Sequence, residues 1–190
     1  MNKVNSIKRS IFLLTGFMGA GKSFFGKKLS EDLGCQFVDL DNFIERNEGK
    51  SIKDIFSQKG EDYFRKIESK CFKTIIEKTI TFSDKEILKG SVPIDCNSKI
   101  LIIAAGGGFP LSQINRLLMK EVTTIFINTD FNTILSRLEN IEKSKRPLLL
   151  NLNSFQIKEK FDGRLSIYKD TADYIVDNYD EVLGIIKASI

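Results

Sequence analysis

The sequence predicts a single α/β domain: a parallel sheet with helices over both faces. Three observations point there. Five short apolar runs alternate with longer amphipathic segments along the chain. The runs are apolar nearly throughout rather than every second residue, as expected of strands buried on both faces. Two of them, Ile11 to Thr15 and Ile100 to Ala105, stop at glycine-rich turns, and in such sheets ligands sit beyond the carboxyl ends of the strands. Neither an internal repeat nor a linker divides the 190 residues, a length suited to one core.

Ile11 to Thr15 reads as a buried strand stopped by Gly16. Lys22 to Leu33 follows as a helix with Phe24, Phe25, Leu29 and Leu33 at helical spacing, closed by Gly34. Gln36 to Leu40 is a second strand. Ser51, with Asp54 three residues on, opens a helix through Ile52, Ile55 and Phe56, which Gly60 breaks. Glu61 to Ile80 continues as a long helix. Thr81 to Lys99 is irregular, with Gly90 and Pro93, and reads as a loop or small insertion. Ile100 to Ala105 is the most apolar run and is expected to be a central buried strand. Leu111 to Met119 is helical, Thr123 to Ile127 a strand and Thr129 to Leu138 a helix. Ile141 to Asn153 is polar, lysine-rich and weakly periodic, so it is expected to be mobile. Phe155 to Tyr168 is a helix, Tyr174 to Val176 a short strand and Glu181 to Ile190 a final helix.

Composition removes several functions. The longest apolar runs are too short to span a bilayer, so no membrane partner is expected. The charged start MNKVNSIKRS leads into no secretory apolar region, and a cytoplasmic setting is the expectation. The formal charge of +4 comes from lysines spread along the chain rather than clustered, which argues against a nucleic-acid partner. Cys35, Cys71 and Cys96 form no C-x-x-C pair, so neither a zinc knuckle nor a redox couple is suggested. The chain contains no histidine at all, which excludes Ser-His-Asp and Cys-His catalysis. Catalysis must rest on carboxylates, cations, backbone amides or a bound metal.

Gly16 to Ser23 (GFMGAGKS) fits G-x-x-x-x-G-K-[ST] between a strand and a helix. Glycines let the backbone wrap phosphate oxygens, and the helix N-terminus adds favourable amides. Lys22 would reach the β- and γ-phosphates and Ser23 would ligate Mg²⁺. The chain is therefore expected to bind a nucleoside triphosphate. Asp39 and Asp41 follow the second strand. One carboxylate can hold a metal's water shell while the other orients or deprotonates a hydroxyl. The alternative is that Asp41 merely caps the next helix and Asp39 is solvated.

Arginine is scarce, seven against 22 lysines, and three arginines stand in patterned places. Arg65 has Glu68 on the same helical face, able to orient its guanidinium. Arg146 ends the lysine-rich segment in Arg146-Pro147-Leu148-Leu149, and Arg164 lies four residues before Tyr168. A planar guanidinium binds carboxylate or phosphate in a bidentate manner that lysine does not match. Gly106-Gly107-Gly108 allows close backbone approach to a ligand, or simply a flexible turn. No acid ends that strand, so metal support is assigned to Asp39.

In this order the motifs resemble the shikimate kinase family over nearly the whole chain. The Gly16 to Ser23 loop, the Asp39-Leu40-Asp41 pair, Phe64-Arg65 with Glu68, the glycine triplet, Arg146-Pro147-Leu148-Leu149, Arg164 with Tyr168, and Ala172-Asp173 through Val176-Asp177 each look like a segment of that family. The resemblance implies a three-layer α/β/α P-loop kinase of the nucleoside monophosphate kinase-like fold. Its five-stranded parallel sheet has the order 2-3-1-4-5, in one domain over residues 1–190. A shikimate-binding region lies at about 39–68 and a mobile lid at about 140–153. The implied reaction moves the ATP γ-phosphate to the 3-hydroxyl of shikimate, on the route to chorismate and aromatic amino acids. ATP would be held by Gly19, Ala20, Gly21, Lys22, Ser23, Phe24 and Arg146, with Lys22 balancing charge during transfer. Shikimate would be held by Asp41, Arg65, Gly107, Gly108 and Arg164, with Asp41 as base or orienter. Mg²⁺ would sit on Ser23 and, through water, on Asp39. A monomer is expected.

Three features depart from the family pattern. Thr81 to Lys99 is longer than the usual link, Glu139 to Lys145 holds no arginine to stack on adenine, and Asn178-Tyr179-Asp180 differs from the family's adenine loop. The rival readings are another small-molecule P-loop kinase, such as a gluconate kinase, and a non-catalytic ATP-binding module. Retention of Lys22, Ser23, Asp41 and the three arginines argues against the latter.

Overall fold

A computed structural model describes residues 10–81, 100–139 and 152–190. The Thr81 to Lys99 stretch beyond its first residue and most of the expected lid, Arg146 included, lie outside the described residues. Strands β1 (Ser10–Thr15), β2 (Gln36–Asp39), β3 (Ile100–Ala104), β4 (Thr123–Ile127) and β5 (Tyr174–Val176) form one parallel sheet in the order β2-β3-β1-β4-β5. The expected 2-3-1-4-5 order holds: β1 is the middle strand, and β3, buried throughout as expected, lies beside it in the interior, between β1 and β2. Both are buried along nearly their full length, which is why apolarity alone cannot tell which one is the middle.

The pleat divides the core. Ile11 and Leu13 of β1 and Leu101 and Ile103 of β3 face helices α2 (Leu40–Glu48), α3 (Ile52–Thr81) and α4 (Gln113–Met119). Phe12, Leu14, Ile100 and Ile102 face α1 (Lys22–Leu33) and α7 (Tyr179–Ala188) through Leu29, Val182 and Ile186. A third cluster joins Phe17 and Phe126 to α5 (Phe131–Glu139) and α6 (Ser154–Thr171) through Ile134, Leu138 and Phe161. α1 lies so close to the sheet that a Cβ on Gly26 would stand 2.1 Å from the ring of Phe37.

Three local features set up the cleft. Gly16 turns the chain at φ 142, where an added Cβ would meet the Ile127 carbonyl at 2.8 Å. Helix α2, which hydrophobic periodicity did not reveal, begins one residue after β2. Asp39 starts it by accepting a hydrogen bond from the Asn42 amide at 3.2 Å. Helix α3 does start at the Ser51–Asp54 box, with the Asp54 amide donating to Ser51 Oγ at 3.1 Å. Gly60, at the non-helical φ 77 and ψ 176, breaks α3 as expected, so that the span consists of two helical segments meeting at a kink. The second segment carries Arg65 and Glu68 back to the ends of the strands.

Candidate active site

The carboxyl ends of β1, β2 and β3 open into a cleft of about 1210 Å³ whose walls include Lys22, Asp41, Arg65, Glu68, Gly107 and Arg164. At the phosphate loop, Gly19 and Gly21 adopt positive φ angles of 82 and 100, and Gly21 precedes α1. Lys22 is buried, and its Nζ donates to the Gly16 and Phe17 carbonyls, each at 2.9 Å. Ser23 Oγ donates to Asp39 Oδ2 at 2.6 Å at the solvent-facing mouth. The side chain of Phe24 is 65 % exposed. The alternative roles raised for the two aspartates are reversed in the structure. Asp39 is the helix cap and turns its second oxygen to Ser23, while Asp41, in the first turn of α2, points inward.

Asp41 Oδ1 is buried without a hydrogen-bond partner, and so is Glu68 Oε1. Both atoms converge on Gly106, where a Cβ would lie 3.0 Å from Asp41 Oδ1 and 3.5 Å from Glu68 Oε1. Burial, reinforced by the charges of Asp39 and Glu45, pushes Asp41 up to about 6, while Lys22 and Arg65 pull it down. Burial likewise pushes Glu68 up to about 7, with Asp41 adding to the rise and Arg65 and Asn115 opposing it.

Arg65 Nη1 donates to Glu68 Oε2 at 2.9 Å, and its Nε and Nη2 both reach Glu61 Oε1. Burial works against its charge, but Glu68 and Glu61 outweigh that and raise its pKa. The guanidinium packs closely against the glycine turn, so that a Cβ on Gly108 would lie 2.2 Å from Nη2. This close approach explains the third glycine. Arg164 reaches the same turn from α6, with Nη1 3.4 Å from the Gly107 carbonyl. The Tyr168 hydroxyl also donates to that carbonyl.

A model of the shikimate kinase family matches residues 18–83 and 94–188. The shikimate kinase of Persephonella marina is 42% identical over 161 residues, covering 84% of each chain. The chain belongs to the shikimate kinase family. Shikimate kinases transfer a phosphate from ATP to a hydroxyl of shikimate. Among solved structures, the Acinetobacter baumannii shikimate kinase in complex with shikimate superposes with a TM-score of 0.76 at 26% identity, covering 95% of this chain and 94% of that one. The Aquifex aeolicus shikimate kinase gives a TM-score of 0.67 at 33% identity, covering 94% of each chain. The family match omits residues 84–93, which fall inside the Thr81 to Lys99 stretch singled out as longer than the family's usual link.

Asp39, Asp41, Arg65, Gly107, Gly108 and Arg164, expected from this shikimate kinase resemblance, line one cleft with Gly19, Gly21, Lys22, Ser23 and Phe24, whereas the side chain of Ala20 is buried in the core behind the loop. Two residues escaped the sequence reading. Arg137 stands on α5, just before the segment searched for an arginine, and donates to the Gly19 carbonyl at 2.9 Å beside the phosphate loop. Asn115 is wholly buried between α3 and α4, and no motif marks it. Among the described residues no helix is long and apolar enough to cross a membrane.

Proposed function

We propose that Asp41 orients and deprotonates the 3-hydroxyl of shikimate while Arg65 and Arg164 hold its carboxylate. The observation that carries this reading is the convergence of a buried carboxylate and two guanidiniums on one glycine turn, in a cleft continuous with the phosphate loop. The two guanidiniums match a planar carboxylate, and the Gly107 and Gly108 backbone offers polar contacts to the ring hydroxyls. Asp41, held near 6 by burial, is ionised at neutral pH yet close enough to it to take a proton efficiently. As the substrate oxygen bonds to the γ-phosphorus, the bond to the β-phosphate oxygen breaks, ADP leaves and the hydroxyl proton passes to Asp41. Lys22 and the loop amides stabilise the charge that develops on the phosphoryl oxygens.

The Ser23 hydroxyl and Asp39 carboxylate at the mouth are hard oxygen donors suited to Mg²⁺, which keeps much of its water shell. Ser23 would ligate the ion directly and Asp39 through water, and the ion would neutralise phosphate charge. Arg137 and Phe24 flank the nucleotide end, and Arg146 is assigned to the phosphates from the lid at about 140–153. One chain supplies every assigned residue, so a monomer suffices.

The test is coupled ADP release with Mg-ATP and shikimate, gluconate or no acceptor. Turnover with shikimate alone is expected. Turnover with gluconate, or none above the acceptor-free rate, would overturn the acceptor assignment.

A further inference from the structure

Arg65 and the glycine turn come from distant parts of the chain, and their relative placement decides whether an acceptor fits. One buried side chain joins them. Asn115, in the first turn of α4, is fully buried and uses its whole amide. Its Nδ2 donates to Glu68 Oε2 at 3.2 Å and to the Phe109 carbonyl at 2.9 Å. Its Oδ1 lies 2.5 Å from Ser69 Oγ. A carboxylate and a carbonyl only accept, so the NH₂ end of the amide must face them. Ser69 Oγ also lies 2.9 Å from the Arg65 carbonyl, so its one proton is shared between that carbonyl and Asn115 Oδ1, next to the backbone of α3.

We propose that Asn115 is a positioning residue for the acceptor half of the site, setting the Arg65 guanidinium in register with the Gly106 to Gly108 turn. This inference rests on the assignment of that half to shikimate. Phe109 directly follows the triplet, so the bond to its carbonyl fixes the turn. The bond to Glu68 fixes the carboxylate that aims Arg65 at 2.9 Å. Without Asn115, Glu68 Oε2 keeps Arg65 as its partner but can rotate with it, and the guanidinium loses its distance from Gly108. Neutral hydrogen bonds to a buried carboxylate matter more than those at a surface, because no water replaces them.

Asn115 also favours the ionised form of Glu68, in the same sense as Arg65 on its own helix and against burial and Asp41 from α2. Losing it raises the pH at which Glu68 takes up a proton. Asp41 faces Glu68 from α2, with Asp39, Glu45, Lys22 and Arg65 as its own charged neighbours.

The experiment compares the unaltered enzyme with Asn115→Leu and Ser69→Ala in the coupled assay, with both substrates varied and pH taken from 5.5 to 9. Asn115→Leu is expected to raise KM for shikimate about tenfold, leave KM for ATP within twofold, and move the acid limb of kcat/KM for shikimate upward. Ser69→Ala should do the same more weakly, and it decides the matter if Asn115→Leu does not fold. A loss confined to kcat, or KM values for both substrates rising together, would mean a merely structural role and would overturn the proposal. So would unchanged kinetics in the folded variants. If the unaltered enzyme itself fails to turn over shikimate, the acceptor assignment has failed instead.

Discussion

The phosphate loop draws its polar groups from eight consecutive residues, Gly16 to Ser23, whereas the acceptor half gathers Asp41, Arg65, Glu68, the Gly106 to Gly108 turn and Arg164 from four segments. In the loop, Lys22 and Ser23 already have hydrogen-bond partners, and the proposed binding groups are mainly backbone amides. In the proposed acceptor half the binding groups are mainly side chains, and Asp41 Oδ1 and Glu68 Oε1 are buried without partners. A local anion cradle needs little tertiary support, because a helix N-terminus and glycine dihedrals suffice. A pocket that must recognise hydroxyls and a carboxylate together has to bury charges close to one another, at an electrostatic cost.

Asp41→Asn tests this contrast most severely. The amide keeps the shape but cannot take a proton, so kcat should fall by about a thousandfold, within the range expected for a general base. Nucleotide affinity should be unchanged by calorimetric titration with Mg-ATP. A variant retaining most of its rate would break the division between the halves. Next in size is Arg65→Ala, which removes a charge-assisted grip on carboxylate. KM for shikimate should rise about 30-fold, as a loss of about 2 kcal/mol requires. KM for ATP should stay within about twofold, and an equal rise in both constants would place Arg65 wrongly.

The smallest effect concerns stability. Folding raises the Asp41 pKa from its ordinary value of 3.8 to about 6, so the folded state binds the proton more tightly than the unfolded chain. Stability from this group is therefore greatest below about pH 4 and is lost progressively as pH rises through about 6. Asp41→Asn has no such titration. In ligand-free, metal-free urea melts the variant should gain about 1–3 kcal/mol over the unaltered protein at pH 8, and much less at pH 4.5. A pH-independent difference would mean that the buried carboxylate carries no stored cost.

Much of the acceptor half was legible because scarce residue types stood out against the background. In a chain so rich in lysine, Arg65 and Arg164 drew notice, and the glycine triplet did so by itself. Which aspartate caps and which enters the cleft was not legible from residue type, since Asp39 and Asp41 are equally good caps, and only the family resemblance gave Asp41 the inward role. The choice fell when helix α2 began directly after β2, giving Asp39 the cap. Arg137 was missed because it belongs to a helix read for its apolar face, and its approach to Gly19 spans 118 residues of sequence.

What the sequence by itself determined was the alternation of strands and helices, the phosphate loop and the family, since each depends on local spacing or an ordered run of motifs. The tertiary structure alone decided that Asp39 rather than Asp41 caps α2, that Glu68 is buried beside Asp41, and that Asn115 joins α3 to the glycine turn. Burial, electrostatic coupling and long-range hydrogen bonds are properties of distances between segments, and a linear order of residues does not contain those distances.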